Sequence, residues 1–280
     1  MSLRILADMS IIEMMTNYNA YQQLLHWVEH RDDTNLQGLD LTGCDLSGLD
    51  LSRAMLDHAV LVEANLRGTN LSQASLKSAR IKRACLIEAN LSQANLTQAT
   101  LVRADLSRAD MRLANLQQAR LIATRLHQTD LRAANLLKAK LNAADLSKTN
   151  LTGATLAQVD GAGANLYKTK GLYGGNLRQI ILSRANLSQL NLAGAFLAEA
   201  FLAESDLSRI NLAGAFLGRA KLTRANLREA NLAGANLTQA DLHGADLSGA
   251  ILRGAILKQA NLFEANLDGA DLAGTSPLSI

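Results

Sequence analysis

Ala89-Asn90-Leu91-Ser92-Gln93 is followed at once by Ala94-Asn95-Leu96-Thr97-Gln98, two five-residue units with the same order of small residue, amide and leucine. Extended in both directions, the beat runs from Leu36 to Leu166 and, after a slip, from Leu172 to Leu272. Of the 48 central positions 45 are Leu, the others being Ile81, Met111 and Gly161. The residue two before the centre is Ala at 33 of them, and the residue just before it is Asn or Asp at 30. A period of five matches neither the 3.6 of a helix nor the 2 of a strand, so neither can keep every leucine on one face. The chain must therefore turn once per unit. Four turns close a square coil of about 20 residues, and coils stacked on one another pair their backbones along the axis.

Each position then has a role. Leu and the Ala two before it point inward, where a layer has room for four larger and four smaller side chains. Asn or Asp at the corner bonds nearby backbone. The last two positions face water and vary freely. Gly161-Ala162-Gly163 and Gly171-Leu172-Tyr173-Gly174-Gly175 fall where the register slips, which predicts a bulge or kink near residues 167–176 inside one solenoid of residues 34–275.

Composition agrees. The chain is 48% apolar yet only 3% aromatic, which suits a thin Leu and Ala interior better than a globular core. Net charge is +3, and the basic surplus falls in the first part of the repeats. That excess is weak for a nucleic-acid binder and counts against nucleic acid as the partner. No apolar run is long enough to cross a membrane, and Asp8 and Glu13 interrupt the N-terminal apolar residues. Cys44 and Cys85 lack the spacing of a metal or disulfide framework. These features predict a soluble cytoplasmic protein.

The ends differ. Ile5, Leu6, Met9, Ile12 and Met15, then Tyr21, Leu24, Leu25 and Val28 beside Trp27, recur at helical spacing, with Asn17 to Asn19 between them. Residues 1–33 are thus predicted to be a helical cap of two short helices over the first coil, whose edge and leucines need cover. A detachable partner-binding or membrane-surface helix is the alternative, although its polar side is acidic. Residues 276–280 are too short for a cap, so the last coil is predicted to be open to a second copy, giving a homodimer through the C-terminal coils.

Departures from the unit mark candidate surfaces. Arg80, Arg120 and Lys140 replace the corner Asn or Asp on a face shared with Lys82, Arg83 and Arg103, a basic stripe partly offset by Glu63 and Asp160. Solvated charge explains such a stripe, and so does a binding surface for phosphate, an acidic protein or nucleic acid. Phe196, Phe201, Phe216, Ile251 and Ile256 stand at outward corners, as does Ile181. Exposed apolar groups of this size mark a protein contact when they are not ordinary surface variation. His26 and His30 share a helix face without an HExxH pattern. No nucleophile elbow, phosphate loop or carboxylate pair is present, and a filled interior leaves no cleft. Catalytic, cofactor and metal residues are therefore assigned as none.

The units Ala225-Asn226-Leu227-Arg228-Glu229, Ala230-Asn231-Leu232-Ala233-Gly234 and Ala235-Asn236-Leu237-Thr238-Gln239 closely resemble the pentapeptide-repeat family. The resemblance implies an all-β solenoid, a right-handed quadrilateral parallel β-helix with an N-terminal α-helical cap, of a kind especially numerous in cyanobacteria. It implies no enzymatic activity and no cofactor. A scaffold or protein-interaction module with an unknown protein partner is one expectation. The other is a nucleic-acid-related module, because one subgroup imitates B-form DNA and acts on DNA gyrase as C-terminally joined dimers. That imitation needs a strongly acidic surface, and here the net charge is +3.

Overall fold

A computed structural model describes residues 11–32 and 35–276, with side chains from residue 17 onward. It contains one helix, α1 (Ile11–His30), followed by coils that return to the same corner every twenty residues, as in Asp45 to Asn65 to Cys85. Four corner columns run along the stack, each joined by parallel bridges one residue wide. Among the described residues these bridges never lengthen into strands, because the chain turns again two residues after each corner.

The unit 71–75 shows how the backbone is satisfied. Leu71 and Gln73 donate N–H to Asn90 and Ser92 of the next coil (2.7 and 2.9 Å), and Ser75 donates to Ala54 of the previous one (2.9 Å). Ala74 closes the turn onto Leu71 O (3.1 Å), and the corner Asn70 side chain accepts the Ser72 N–H at 3.2 Å. All five donors are used, as a buried or half-buried backbone requires. Leucines and alanines fill the axis with essentially no exposure from Leu36 to Leu257. Each Leu buried in this way contributes roughly 1.5–3 kcal/mol.

The turn itself has a feature that the periodicity does not announce. Its third residue takes a positive φ, near +60° at Arg53, Gln93, Arg103, Leu113 and Glu229 among many others. That region is costly for L-residues and worst for β-branched ones. Val, Ile and Thr are absent from this position throughout the described coils, whereas Val62, Thr97, Val102 and Ile122 sit one place earlier.

The register changes at one point. Bridges join Asn150 to Lys170 twenty residues on, but Asp160 to Ile181 and Asn165 to Asn186 twenty-one on. Gly161 keeps its place in the coil, its N–H on Ile181 O at 2.7 Å, so no slip occurs there. The extra residue lies in 171–176, where six residues do the work of five. Among the described residues no bridge joins Thr155 to Asn176 or Lys170 to Asn191. The Leu side chain missing at Gly161 leaves a small apolar gap lined by Leu141, Leu166 and Leu182, on the same axis as the rest of the core.

The cap departs from the two-helix expectation. α1 runs unbroken through Asn17 to Asn19, because Asn17 is buried and donates Nδ2 to Thr42 O at 3.4 Å. The packing partner outweighs the weak helix propensity of Asn. Ile5, Leu6 and Met9 lie outside the described residues. Ala20, Leu24 and Trp27 join the core, while Tyr21 Oη reaches Asp45 O at 3.2 Å and Arg31 reaches Asp50 O and Ser52 O at 2.7 and 3.0 Å. In higher coils the equivalent carbonyls accept N–H groups from the coil beneath, as Val62 O does from Gly43 and Asn65 O from Leu46. The helix supplies donors where no coil exists to do so. At the other end Ser276 Oγ accepts the Leu257 N–H at 2.8 Å, and residues 277–280 lie outside the described residues. Leu272 is 40% exposed there.

Candidate interaction surface

Every Asn and Asp corner from Asn35 to Asp271 accepts the backbone N–H two residues on through its side-chain oxygen. Many Asn corners also donate Nδ2 to the corner one coil below, as Asn65 does to Asp45 (2.9 Å) and Asn226 to Asp206 (3.0 Å). Asp110 and Asp130 are the one pair of acids in direct bridge contact among the described residues. Each is held by the arginine two places on, Arg112 at 2.6 Å and Arg132 at 2.7 Å. The corners are therefore a stabilising lattice, and a residue that abandons it gives up about 1 kcal/mol per lost bond.

The lattice also sets a pH dependence. The Ser47 hydroxyl holds the Asp45 carboxyl below the usual range, the Ser52 backbone N–H does so for Asp50, and the Arg112 guanidinium for Asp110. A folded-state pKa below the unfolded one contributes stability that is full above the unfolded value, about 4, and lost as pH falls through the folded value. Melting temperature, followed by circular dichroism at constant ionic strength, should hold at mildly acidic pH and fall below about pH 4. A melting temperature that rises on acidification would contradict this.

Phe196 and Phe216 stand one coil apart in one column, bridged to each other and to Asn176 below and Asn236 above. Their rings are stacked, with centroids 4.9 Å apart and planes 4° from parallel. Phe201 follows Ile181 in the next column, beneath Lys221. All three phenylalanines keep close to half of their surface exposed. Between the two columns run Gln158, Gln179 and Glu199, joined by hydrogen bonds of 3.1 and 2.8 Å. Gln158, Gln179 and Glu199 line a shallow groove with Ile181, Phe201 and Lys221, and Phe196 and Phe216 lie outside it. Ile256 lies above Asn236 in the Phe196 column, and Ile251 stands on a third corner with Asn231 and Asp271. Neither joins the phenylalanines directly.

The basic residues also assemble. Arg80, Thr100, Arg120 and Lys140 are consecutive in one column, the column that Ile181 and Phe201 later occupy. Lys82, Arg83, Arg103 and Arg120 line one shallow groove together with Val102 and Ile122. Reading the corners alone missed Phe263, which is 67% exposed and stacks on His243 at 5.6 Å. The twenty-residue interval between them, one place past the leucines, is the signal that would have found the pair.

His26 stacks on His30 and bonds Asp32 at 3.0 Å. Among the described residues no group of three or more His, Cys, Asp or Glu is placed to hold a metal. Cys44 is buried, and burial pushes its thiol up to about 11, far from a reactive thiolate at neutral pH. No helix of the described residues is long and apolar enough to cross a membrane.

No curated protein matches the chain. Among solved structures, the chain is 32% identical to HetL, a pentapeptide repeat protein involved in heterocyst differentiation regulation from the cyanobacterium Nostoc sp. strain PCC 7120, over 90% of this chain and 94% of that one, with a TM-score of 0.28. It is 29% identical to Rfr23, a pentapeptide repeat protein from the cyanobacterium Cyanothece 51142, over 52% of this chain and 87% of that one, with a TM-score of 0.14. It is 16% identical to trypsin-treated QnrB1, a plasmid-mediated fluoroquinolone resistance protein, over 70% and 88%, with a TM-score of 0.41. The family described as pentapeptide repeats matches in eight copies, over residues 34–73, 74–112, 109–147, 139–170, 172–209, 180–219, 205–244 and 240–276. With copies running almost without a gap along the coils, the chain belongs to the pentapeptide-repeat family.

Proposed function

We propose that this chain is a non-enzymatic scaffold, a right-handed quadrilateral β-helix capped by α1, that holds a partner protein on its outer surface and a second copy of itself at its last coil. An interior filled by leucine and alanine supports the first part, since among the described residues the space it encloses at Gly161 is lined by apolar side chains alone. The observation that carries the reading is the Phe196 and Phe216 stack. Each ring replaces an Asn or Asp that would accept a backbone N–H, a loss of about 2 kcal/mol over the two corners that one ring contact of about 0.5–1.5 kcal/mol offsets only in part. The rings thus do not serve the stability of the coil, which leaves contact with a partner as their role. At the last described coil Leu272 is 40% exposed and presents apolar surface to a second copy.

Changing Phe196→Asn and Phe216→Asn together should leave the melting temperature unchanged or slightly raised. Immobilised wild type should retain a protein from an extract of its source cells that the variant releases, and light scattering should show a dimer for both. A variant that keeps the captured protein would remove the phenylalanine stack from the reading. A wild-type mass of 29.9 kDa at every micromolar concentration would remove the dimer.

A further inference from the structure

The basic column is built against its own stability. Arg80, Arg120 and Lys140 stand where Asn or Asp would accept a backbone N–H, so they forgo that bond, and Arg120 bridges directly to Lys140. Bridged neighbours are about 5 Å apart, a distance at which like charges repel. Elsewhere on the coils arginines meet an acid one coil away, as Arg184 does Glu204 and Arg209 does Glu229, both at 2.9 Å. Here only Arg83 has such a partner, Glu63 at 3.0 Å. Among the described residues no ion pair involves Arg80, Lys82, Arg103, Arg120 or Lys140, all of them exposed. Lys140 alone has an acid as its bridged neighbour, Asp160, whereas the others stand beside Val60, Val62, Thr100 and Val102, none of which can neutralise them.

Four uncompensated cations, Arg80, Lys82, Arg103 and Arg120, beside the half-buried Val62, Val102 and Ile122 call for an anion that also carries apolar groups. A nucleic-acid backbone would use the cations but not the valines, and no aromatic side chain lies in this groove for bases to stack on. We infer that this face docks an acidic segment of a partner protein whose carboxylates meet Arg80, Lys82, Arg103 and Arg120 and whose aliphatic side chains rest on Val62, Val102 and Ile122. The residues involved are separate from the phenylalanine groove, so either surface can fail alone.

The test is fluorescence anisotropy at about 150 mM salt with three labelled probes: a peptide of repeated Glu-Glu-Leu, a peptide of Glu alone, and a short DNA duplex. The Glu-Glu-Leu peptide should bind the full chain most tightly. The double change Arg103→Gln and Arg120→Asn should weaken it at least about tenfold, and the second substitution restores a corner amide, so this variant should melt no lower than wild type. Duplex DNA binding as tightly as that peptide would overturn the inference, as would a variant that binds like wild type or a peptide that does not bind at all.

Discussion

Alanine at Gly171 is expected to lower the free energy of unfolding by about 3 kcal/mol or more. Gly171 is the residue that the coil gains at the register change, and it has φ +85°. A Cβ there would lie 2.2 Å from Thr152 N and 2.4 Å from Thr152 Cα. Thr152 cannot retreat, because its N–H and hydroxyl are both held by Asn150 Oδ1 (3.2 and 2.7 Å) and its carbonyl accepts the Ala133 N–H at 2.9 Å. The added methyl therefore meets backbone on one side and a forbidden region of φ on the other. Gly163 separates the two effects, since it has φ +70° with nothing within 4 Å of its Cβ position. Gly163→Ala should cost only about 1 kcal/mol. Urea midpoints of the two variants, compared at equal slope, decide the matter. If they coincide, the close approach at Gly171 does not govern the junction.

Much of this architecture was legible because one residue type repeats at one interval. Leu91, Ala94 and Asn95 need no tertiary information to declare an inside, a filler and a corner, and a period of twenty then places Phe196 over Phe216 and Arg120 beside Lys140. The groove beside Phe201 was less legible, since Gln158, Gln179 and Glu199 in its lining are turn residues that look interchangeable in sequence. The same blindness hid the left-handed turn position, which was read only as facing water. Its rule is an exclusion, the absence of Val, Ile and Thr, and exclusions do not stand out against a background of varied polar residues. The cap was misjudged for another reason: Asn17 weakens a helix by propensity, yet its amide is satisfied by Thr42 O, a contact 25 residues away that only the folded chain supplies. Gly161 and Gly171 looked alike as signs of a slip, but one merely lacks a side chain while the other makes room for an extra residue.

The second large effect belongs to that cap. Leu24 has no exposure and lies in the core with Ala20 and Trp27, so Leu24→Asp would bury a charge without a partner, a penalty of several kcal/mol that exceeds what one amphipathic helix gains by docking. Helix α1 should therefore detach, taking with it the donors that Asn17, Tyr21 and Arg31 give to Thr42, Asp45, Asp50 and Ser52. The coils above should persist, because in a stacked array each layer is stabilised mainly by its nearest neighbours. What changes is the first coil, whose carbonyls and leucines then form an uncovered edge that another chain can extend. Circular dichroism should lose the helical component while the coil signal remains, and light scattering should show mass rising with concentration, with Leu24→Met behaving as wild type. Retention of the helical signal at unchanged mass would mean that α1 is anchored by its polar contacts rather than by Leu24. Collapse of the whole spectrum would mean that the stack depends on its cap from end to end, and that its layers are not the separable units their nearest-neighbour bonding implies.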